Sequence, residues 1–265
     1  MENKKYFVPY ITAGFPDRKR FLKYLKLLSE YGDYVEIGIP FSDPLADGSD
    51  LQIAHETALK EKVDIDFIFS SIERIRNKKP FIIMSYLNPI LNYGFEKFLK
   101  KAGNKGVAGV VIPDLPLEEA GYYLPLFKKC NLDFVPLASP STSVERFLKI
   151  AEIANLFIYF VSVKGTTGAR EDFPEYTRRK LKEFRNLTDR KIFLGFGVKN
   201  PQSVKKILNL IDGVIIGSEI ARRILKGRDL NKFIKKHLNV LKGGLKNGRR
   251  MVDKGCKRCD KSSEG

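Results

Sequence analysis

One feature constrains this chain more than any other: a short β-rich run followed by an amphipathic helical stretch, repeated eight times without a break. The strand candidates are Tyr6–Thr12, Tyr34–Ile39, Pro80–Tyr86, Val107–Ile112, Leu132–Ala138, Leu156–Ser162, Lys191–Gly195 and Asp212–Ile216. Several are almost continuously apolar, such as Gly109-Val110-Val111-Ile112 and Gly213-Val214-Ile215-Ile216. That is the pattern of parallel strands covered on both faces. Between the strands, apolar residues recur three or four apart, as in Phe21, Leu25 and Leu28, in Ile65, Ile68, Ile72 and Ile75, and in Phe147, Ile150, Ala151 and Ala154. Strict alternation predicts a parallel sheet flanked by helices, and eight units predict a closed TIM (β/α)8 barrel of the α/β class. An open doubly wound sheet is the alternative this pattern leaves.

The length of 265 residues suits a single barrel, a fold that takes roughly 250. No internal linker interrupts residues 1–242, which are expected to form the catalytic domain. From Gly243 to Gly265 the chain turns Gly-, Lys- and Arg-rich with few apolar residues, and a disordered basic tail is expected there. No apolar run approaches the roughly 18 residues of a membrane span, and the first residues lack the apolar core of a signal peptide. A cytoplasmic protein is expected. The three cysteines, Cys130, Cys256 and Cys259, are too few for a disulfide framework. The Cys256/Cys259 pair lacks the four ligands a structural zinc needs, so no metal is expected. Net charge is +17, of which the segment from Lys242 carries +5 and the body the remaining +12. The body's cations alternate with acids, as in Glu61-Lys62 and Glu73-Arg74-Ile75-Arg76, which reads as solvated helix faces and not as a nucleic-acid surface. A basic field would also draw in an anionic substrate such as a phosphate ester.

Active sites of such barrels lie at the C-terminal ends of the strands. The second strand reads Tyr34-Val35-Glu36-Ile37-Gly38-Ile39-Pro40. With Val35, Ile37 and Ile39 on its outer face, Glu36 points into the barrel, where burial raises a carboxyl pKa toward the range useful for proton transfer. The loop Pro40–Gly48 adds Asp43 and Asp47, read either as a second site carboxylate or as turn and capping residues. Its Pro40, Phe41, Pro44 and Leu45 are expected to show an apolar surface near the mouth. A second constellation is glycine-rich. Gly195-Phe196-Gly197 follows the seventh strand, and Gly217-Ser218 follows the eighth and opens a helix. Lys164-Gly165-Thr166-Thr167-Gly168-Ala169-Arg170 follows the sixth. Exposed N–H groups and helix N-termini favour anions, so these loops are candidates for a phosphate, and Lys164–Asp172 reads as a lid. His237 is expected on the surface, and His55 on a helix face without a catalytic role.

Glu36-Ile37-Gly38-Ile39-Pro40-Phe41-Ser42-Asp43-Pro44-Leu45-Ala46-Asp47-Gly48 resembles the signature of tryptophan synthase alpha chains. Phe7–Gly14, Met84–Pro89, Pro113–Pro116, Gly165–Gly168, Gly195–Gly197 and Gly217-Ser218 are similar to further family motifs, in the family's order, so the resemblance runs from about Tyr6 to Leu241. It implies a lyase of tryptophan biosynthesis that splits indole-3-glycerol phosphate into indole and glyceraldehyde 3-phosphate. Glu36 would transfer protons and Asp47 would hold the indole N–H. Tyr10, Tyr86, Tyr159, Phe196 and Thr167 would line the substrate, and Gly168, Gly197, Gly217 and Ser218 would bind its phosphate. It implies no cofactor in this chain, and a β subunit with pyridoxal phosphate as partner in an α2β2 heterotetramer. Two departures stand out. Ser49-Asp50 follow Gly48 where the family often has Pro-Thr, and only Met1–Lys5 precede the first strand where a helix is usual, so a less covered barrel floor is expected.

Overall fold

The computed structural model describes residues 4–75, 79–162, 174–195 and 201–252, with side chains as far as residue 242. The chain alternates as its sequence predicts. Its elements run β1 (Tyr6–Thr12), α1 (Arg18–Tyr31), β2 (Val35–Gly38), α2 (Ser49–Lys60), α3 (Ile65–Glu73), β3 (Phe81–Met84), α4 (Leu87–Tyr93), α5 (Phe95–Asn104), β4 (Val107–Val111) and α6 (Leu117–Lys129). They continue with β5 (Asp133–Phe134), β6 (Leu137–Ala138), α7 (Val144–Ile153), β7 (Ile158–Val161), α8 (Glu175–Arg185), β8 (Ile192–Gly195), α9 (Pro201–Lys205), β9 (Gly213–Ile216), α10 (Ser218–Leu225) and α11 (Leu230–Val252). Lys164–Asp172, with Thr167 and Gly168, lies outside the described residues, as do Phe196, Gly197, Cys256 and Cys259.

All pairings are parallel, in the order β5-β4-β3-β2-β1-β9-β8-β7-β6. β5 and β6 are the two halves of the strand expected at Leu132–Ala138. Pro136 divides them, because it has no N–H to give to a ladder. On one side of this break Val135 N–H donates to the Val110 carbonyl at 2.9 Å, and on the other Tyr159 N–H donates to the Pro136 carbonyl at 3.0 Å. The segment therefore leans on β4 at its start and β7 at its end, and so closes the ring.

Alternation along the strands sorts their side chains into two sets. The outward set, with Val35, Ile37, Ile83, Val110 and Phe160, is fully buried under the helices. The inward set forms layers. Tyr6, Tyr34, Phe157 and Phe193 make an aromatic floor, with Phe157 stacked on Phe193 at 4.1 Å and Tyr6 on Phe193 at 5.3 Å between centroids. Lys4 and Lys191 lie over the Tyr6 ring at 4.9 and 4.8 Å, so charged groups cover the floor. Above the floor lie Tyr10, Glu36 and Tyr159.

Helix starts follow local chemistry. Asp17, Asp64 and Ser143 accept hydrogen bonds from the backbone N–H groups of Arg20, Phe67 and Arg146, capping α1, α3 and α7. The helical apolar positions picked out by periodicity are all buried. The last helix departs from expectation twice. Its backbone continues past Lys242 to Val252, and His237 is buried, not surface-exposed. Leu230, Phe233, Ile234, His237 and Leu241 share one buried face at helical spacing, and the lysine-rich sequence around His237 hides that phase.

Candidate active site

Glu36 reaches the barrel interior because it sits between two outward-facing residues of β2. It is fully buried, opposite Tyr10 of β1 in the parallel register. Neither of its carboxyl oxygens has a hydrogen-bond partner among the described residues. Burial, and secondarily the negative charge of Asp47, push this carboxyl from 4.5 up to about 8. At neutral pH the group is a carboxylic acid, able to give a proton.

Two tyrosines stand beside it, and each needs a glycine. A Cβ on Gly38 would fall 2.0 Å from the Tyr10 hydroxyl, and one on Gly195 would fall 2.1 Å from the Tyr159 ring. Only bare backbone at those strand ends lets the two rings lie flat in the barrel. Tyr10 and Tyr159 are both buried, and their hydroxyls are held well above the ordinary tyrosine range by desolvation first and then by the neighbouring acids. The Tyr10 hydroxyl is 3.3 Å from the Thr12 hydroxyl.

Asp47 arrives from the loop after β2. Leu45 N–H bonds to the Asp43 carbonyl and Asp47 N–H to the Pro44 carbonyl, so the loop folds back over the strand end. Asp43 is exposed and takes no place beside Glu36, whereas Asp47 is only 6% exposed. Of the pair offered by the sequence, the turn therefore uses Asp43 and sends Asp47 inward. The Tyr86 hydroxyl accepts the Ala46 N–H at 2.9 Å and donates to Asp47 Oδ2 at 3.1 Å. Asp47 Oδ1 has no partner among the described residues. The Tyr86 ring leans on Phe41 at 5.0 Å. Pro40 is buried, and Phe41 and Pro44 are partly covered, which leaves Leu45, at 83% exposed, as the only strongly apolar display of the four.

His55 is the residue that sequence reasoning set aside. It lies on the inner face of α2 with Leu51, Ala54 and Ala58, and is 3% exposed. Its Nδ1 accepts the Phe41 N–H at 3.1 Å, and its Nε2 is 3.3 Å from Asp47 Oδ2. The helical phase of those neighbours was the signal that could have placed it inside.

Across the mouth, Gly217 follows β9 and precedes the start of α10 at Ser218. Gly217 has no side chain to cap that helix, and a helix N-terminus favours an anion. Tyr10 again dictates the glycine, since a Cβ on Gly217 would meet its ring at 2.9 Å. Arg222 ties α10 to α2, donating from two of its nitrogens to Asp50 at 3.1 and 2.7 Å.

A sequence profile of the family described as tryptophan synthase alpha chain matches residues 1–250. The chain belongs to the tryptophan synthase alpha chain family. A tryptophan synthase alpha chain from Aquifex aeolicus is 40% identical over 252 residues, covering 92% of this chain and 95% of its own length. One from Caldicellulosiruptor saccharolyticus is 37% identical over 242 residues, covering 91% of this chain and 95% of its own length. Among solved structures, the alpha chain in a tryptophan synthase α2β2 complex from Pyrococcus furiosus superposes with a TM-score of 0.83 at 36% identity, covering 92% of this chain and all of that one. The fold is thus that of tryptophan synthase alpha chains, a single TIM barrel, and the enzyme is a lyase. Among the described residues no cluster of three or more His, Cys, Asp or Glu could hold a metal, and no helix is long and apolar enough to cross a membrane.

Proposed function

We propose that Glu36 and Asp47 share the cleavage of indole-3-glycerol phosphate to indole and glyceraldehyde 3-phosphate, the tryptophan-biosynthesis reaction of this family. The carrying observation is a fully buried Glu36 whose carboxyl oxygens are unpartnered and whose pKa stands at about 8. The bond to be broken joins indole C3 to the glycerol chain, and C3 leaves only once it carries a proton. Neutral Glu36 gives that proton. The resulting carboxylate then takes the proton of the adjacent glycerol hydroxyl. As that hydroxyl becomes the aldehyde carbonyl, the electrons of the breaking carbon–carbon bond return to the ring, and Glu36 ends protonated as it began. Protonating C3 places positive charge on the ring N–H, and Asp47 Oδ1 is the acceptor for it.

Tyr10, Tyr86 and Tyr159, together with Phe196 and Thr167, would line the ring. Gly217 and Ser218 at the start of α10, with Gly168 and Gly197, would hold the phosphate through backbone N–H groups. Residues 1–242 form the catalytic barrel in this reading, and the chain works in the cytoplasm. The alpha chain uses no cofactor of its own. The β subunit, with pyridoxal phosphate, takes the indole in an α2β2 assembly like that of the Pyrococcus furiosus relative.

Indole release by the full chain tests the acid. Glu36→Gln keeps the shape and removes the proton donor, and is expected to lower kcat roughly 100-fold or more. A loss of less than about fivefold, with the variant folded, would remove Glu36 from the chemistry.

A further inference from the structure

The Asp47 carboxylate is held asymmetrically. Oδ2 receives the Tyr86 hydroxyl at 3.1 Å and faces His55 Nε2 at 3.3 Å, while Oδ1 is unpartnered among the described residues. The imidazole is asymmetric too. Phe41 N–H donates to Nδ1 at 3.1 Å, so the lone pair lies on Nδ1 and the ring proton on Nε2, facing the carboxylate. The 3.3 Å approach of Nε2 to Asp47 Oδ2 is an electrostatic contact and not a formed hydrogen bond, and Nε2 has no other partner among the described residues. The ring cannot easily turn away: it is buried, and it sits in the inner stripe of α2 with Leu51, Ala54 and Ala58. The same histidine therefore grips the loop at Phe41 and backs the carboxylate six residues later.

We propose that His55 is a positioning residue that, with Tyr86, fixes Asp47 Oδ2 and thereby presents Oδ1 to the ring N–H of the substrate. The idea rests on the reading of Asp47 given above. Without the imidazole the carboxylate has one anchor and can rotate about χ2, which exchanges its two oxygens. Charge on the ring N–H develops during the reaction, so misplacing Oδ1 costs turnover more than ground-state binding.

Asn and Gln split the two functions of the imidazole. A glutamine at 55 returns an N–H donor near the position of Nε2, while an asparagine returns an acceptor near Nδ1 and no donor toward Asp47. The test measures kcat, the substrate dissociation constant and the melting temperature for His55→Ala, His55→Gln and His55→Asn in the full chain, each in the native and the Asp47→Asn background. His55→Ala is expected to lower kcat about tenfold with the dissociation constant changed less than about threefold, in the range for one hydrogen bond to a charged group. His55→Gln is expected to recover most of that loss and His55→Asn little of it, although Asn keeps the Phe41 contact. In the Asp47→Asn background all three should add almost nothing. Recovery by Asn and not Gln would reduce His55 to a brace for the loop and overturn the proposal. So would full additivity with Asp47→Asn. An Asp47→Asn chain as active as the native one would instead bring down the reading of Asp47 itself, so the two failures are separable.

Discussion

Glu36 illustrates how one side chain can oppose the fold that holds it. Its carboxyl titrates near 4.5 in an unfolded chain and at about 8 in the barrel. Below pH 4.5 both states are protonated and the group costs nothing. As pH rises the unfolded chain ionises first, so stability declines until the folded carboxyl also ionises at about 8. Glu36→Gln has no such dependence. It is expected to be more stable than the native chain at pH 8, by on the order of a few kcal/mol, and indistinguishable from it near pH 4. Urea denaturation at the two pH values checks this, and equal stabilities at pH 8 would count against a buried, unpaired acid. This residue was legible in the sequence because apolar neighbours on both sides fixed its direction. Asp47 and Asp43 were not separable that way, since a turn has no period and only its hydrogen bonds decide which acid faces in. His55 was missed for the reverse reason. A lone histidine carries no pattern of its own, and its meaning came from residues that α2 stacks beside it.

At the level of elements, seven of the eight expected strands appear unbroken, six of them trimmed at one or both ends, and the eighth is divided at Pro136, a residue visible in the sequence whose effect depends on which neighbour each half pairs with. The helices were legible where apolar spacing was regular and obscured where lysines dominated, as in α11. There His237 is 2% exposed, with Nδ1 donating to the Phe233 carbonyl at 3.1 Å and its ring 4.3 Å from that of Phe233. Burial first, and then the positive charges of Arg223 and Lys236, bring its pKa from 6.5 down to about 4, against the opposing effect of the Phe233 carbonyl. Above pH 6.5 the imidazole is neutral in both states. As pH falls the unfolded chain takes the proton first, so the docking of α11 weakens between pH 6.5 and about 4. His237→Leu is expected to lose less stability than the native chain over that window, by on the order of a few kcal/mol. Chemical denaturation at pH 7 and pH 4.5 would show it, and parallel losses in both proteins would mean that α11 does not sense the proton.

For the whole molecule, the barrel brings together residues far apart in sequence by giving them a common mouth. Glu36 and Asp47 come from the second unit, Tyr159 from a later one, and the helix start at Ser218 from the last. Arg222 joins that helix to α2 through Asp50. Some surface cations join helix-face ion pairs such as Lys60–Glu56, Lys100–Glu96 and Lys149–Glu145, in keeping with solvated faces. Adding a β subunit is expected to raise indole release roughly tenfold, about 1.4 kcal/mol of barrier, and a flat titration with binding confirmed by ultracentrifugation would show that the site is complete alone. The proposed reaction starts from protonated Glu36, and the pH dependence of kcat/KM for indole release reports that state most directly. The native chain should hold its activity up to about pH 8 and then lose about tenfold per pH unit, following Glu36, with the break moved to lower pH in Asp47→Asn as the neighbouring charge is removed. A profile that instead rises through pH 4 to 5 and stays level beyond pH 9 would mean that Glu36 begins the reaction ionised and does not supply the first proton.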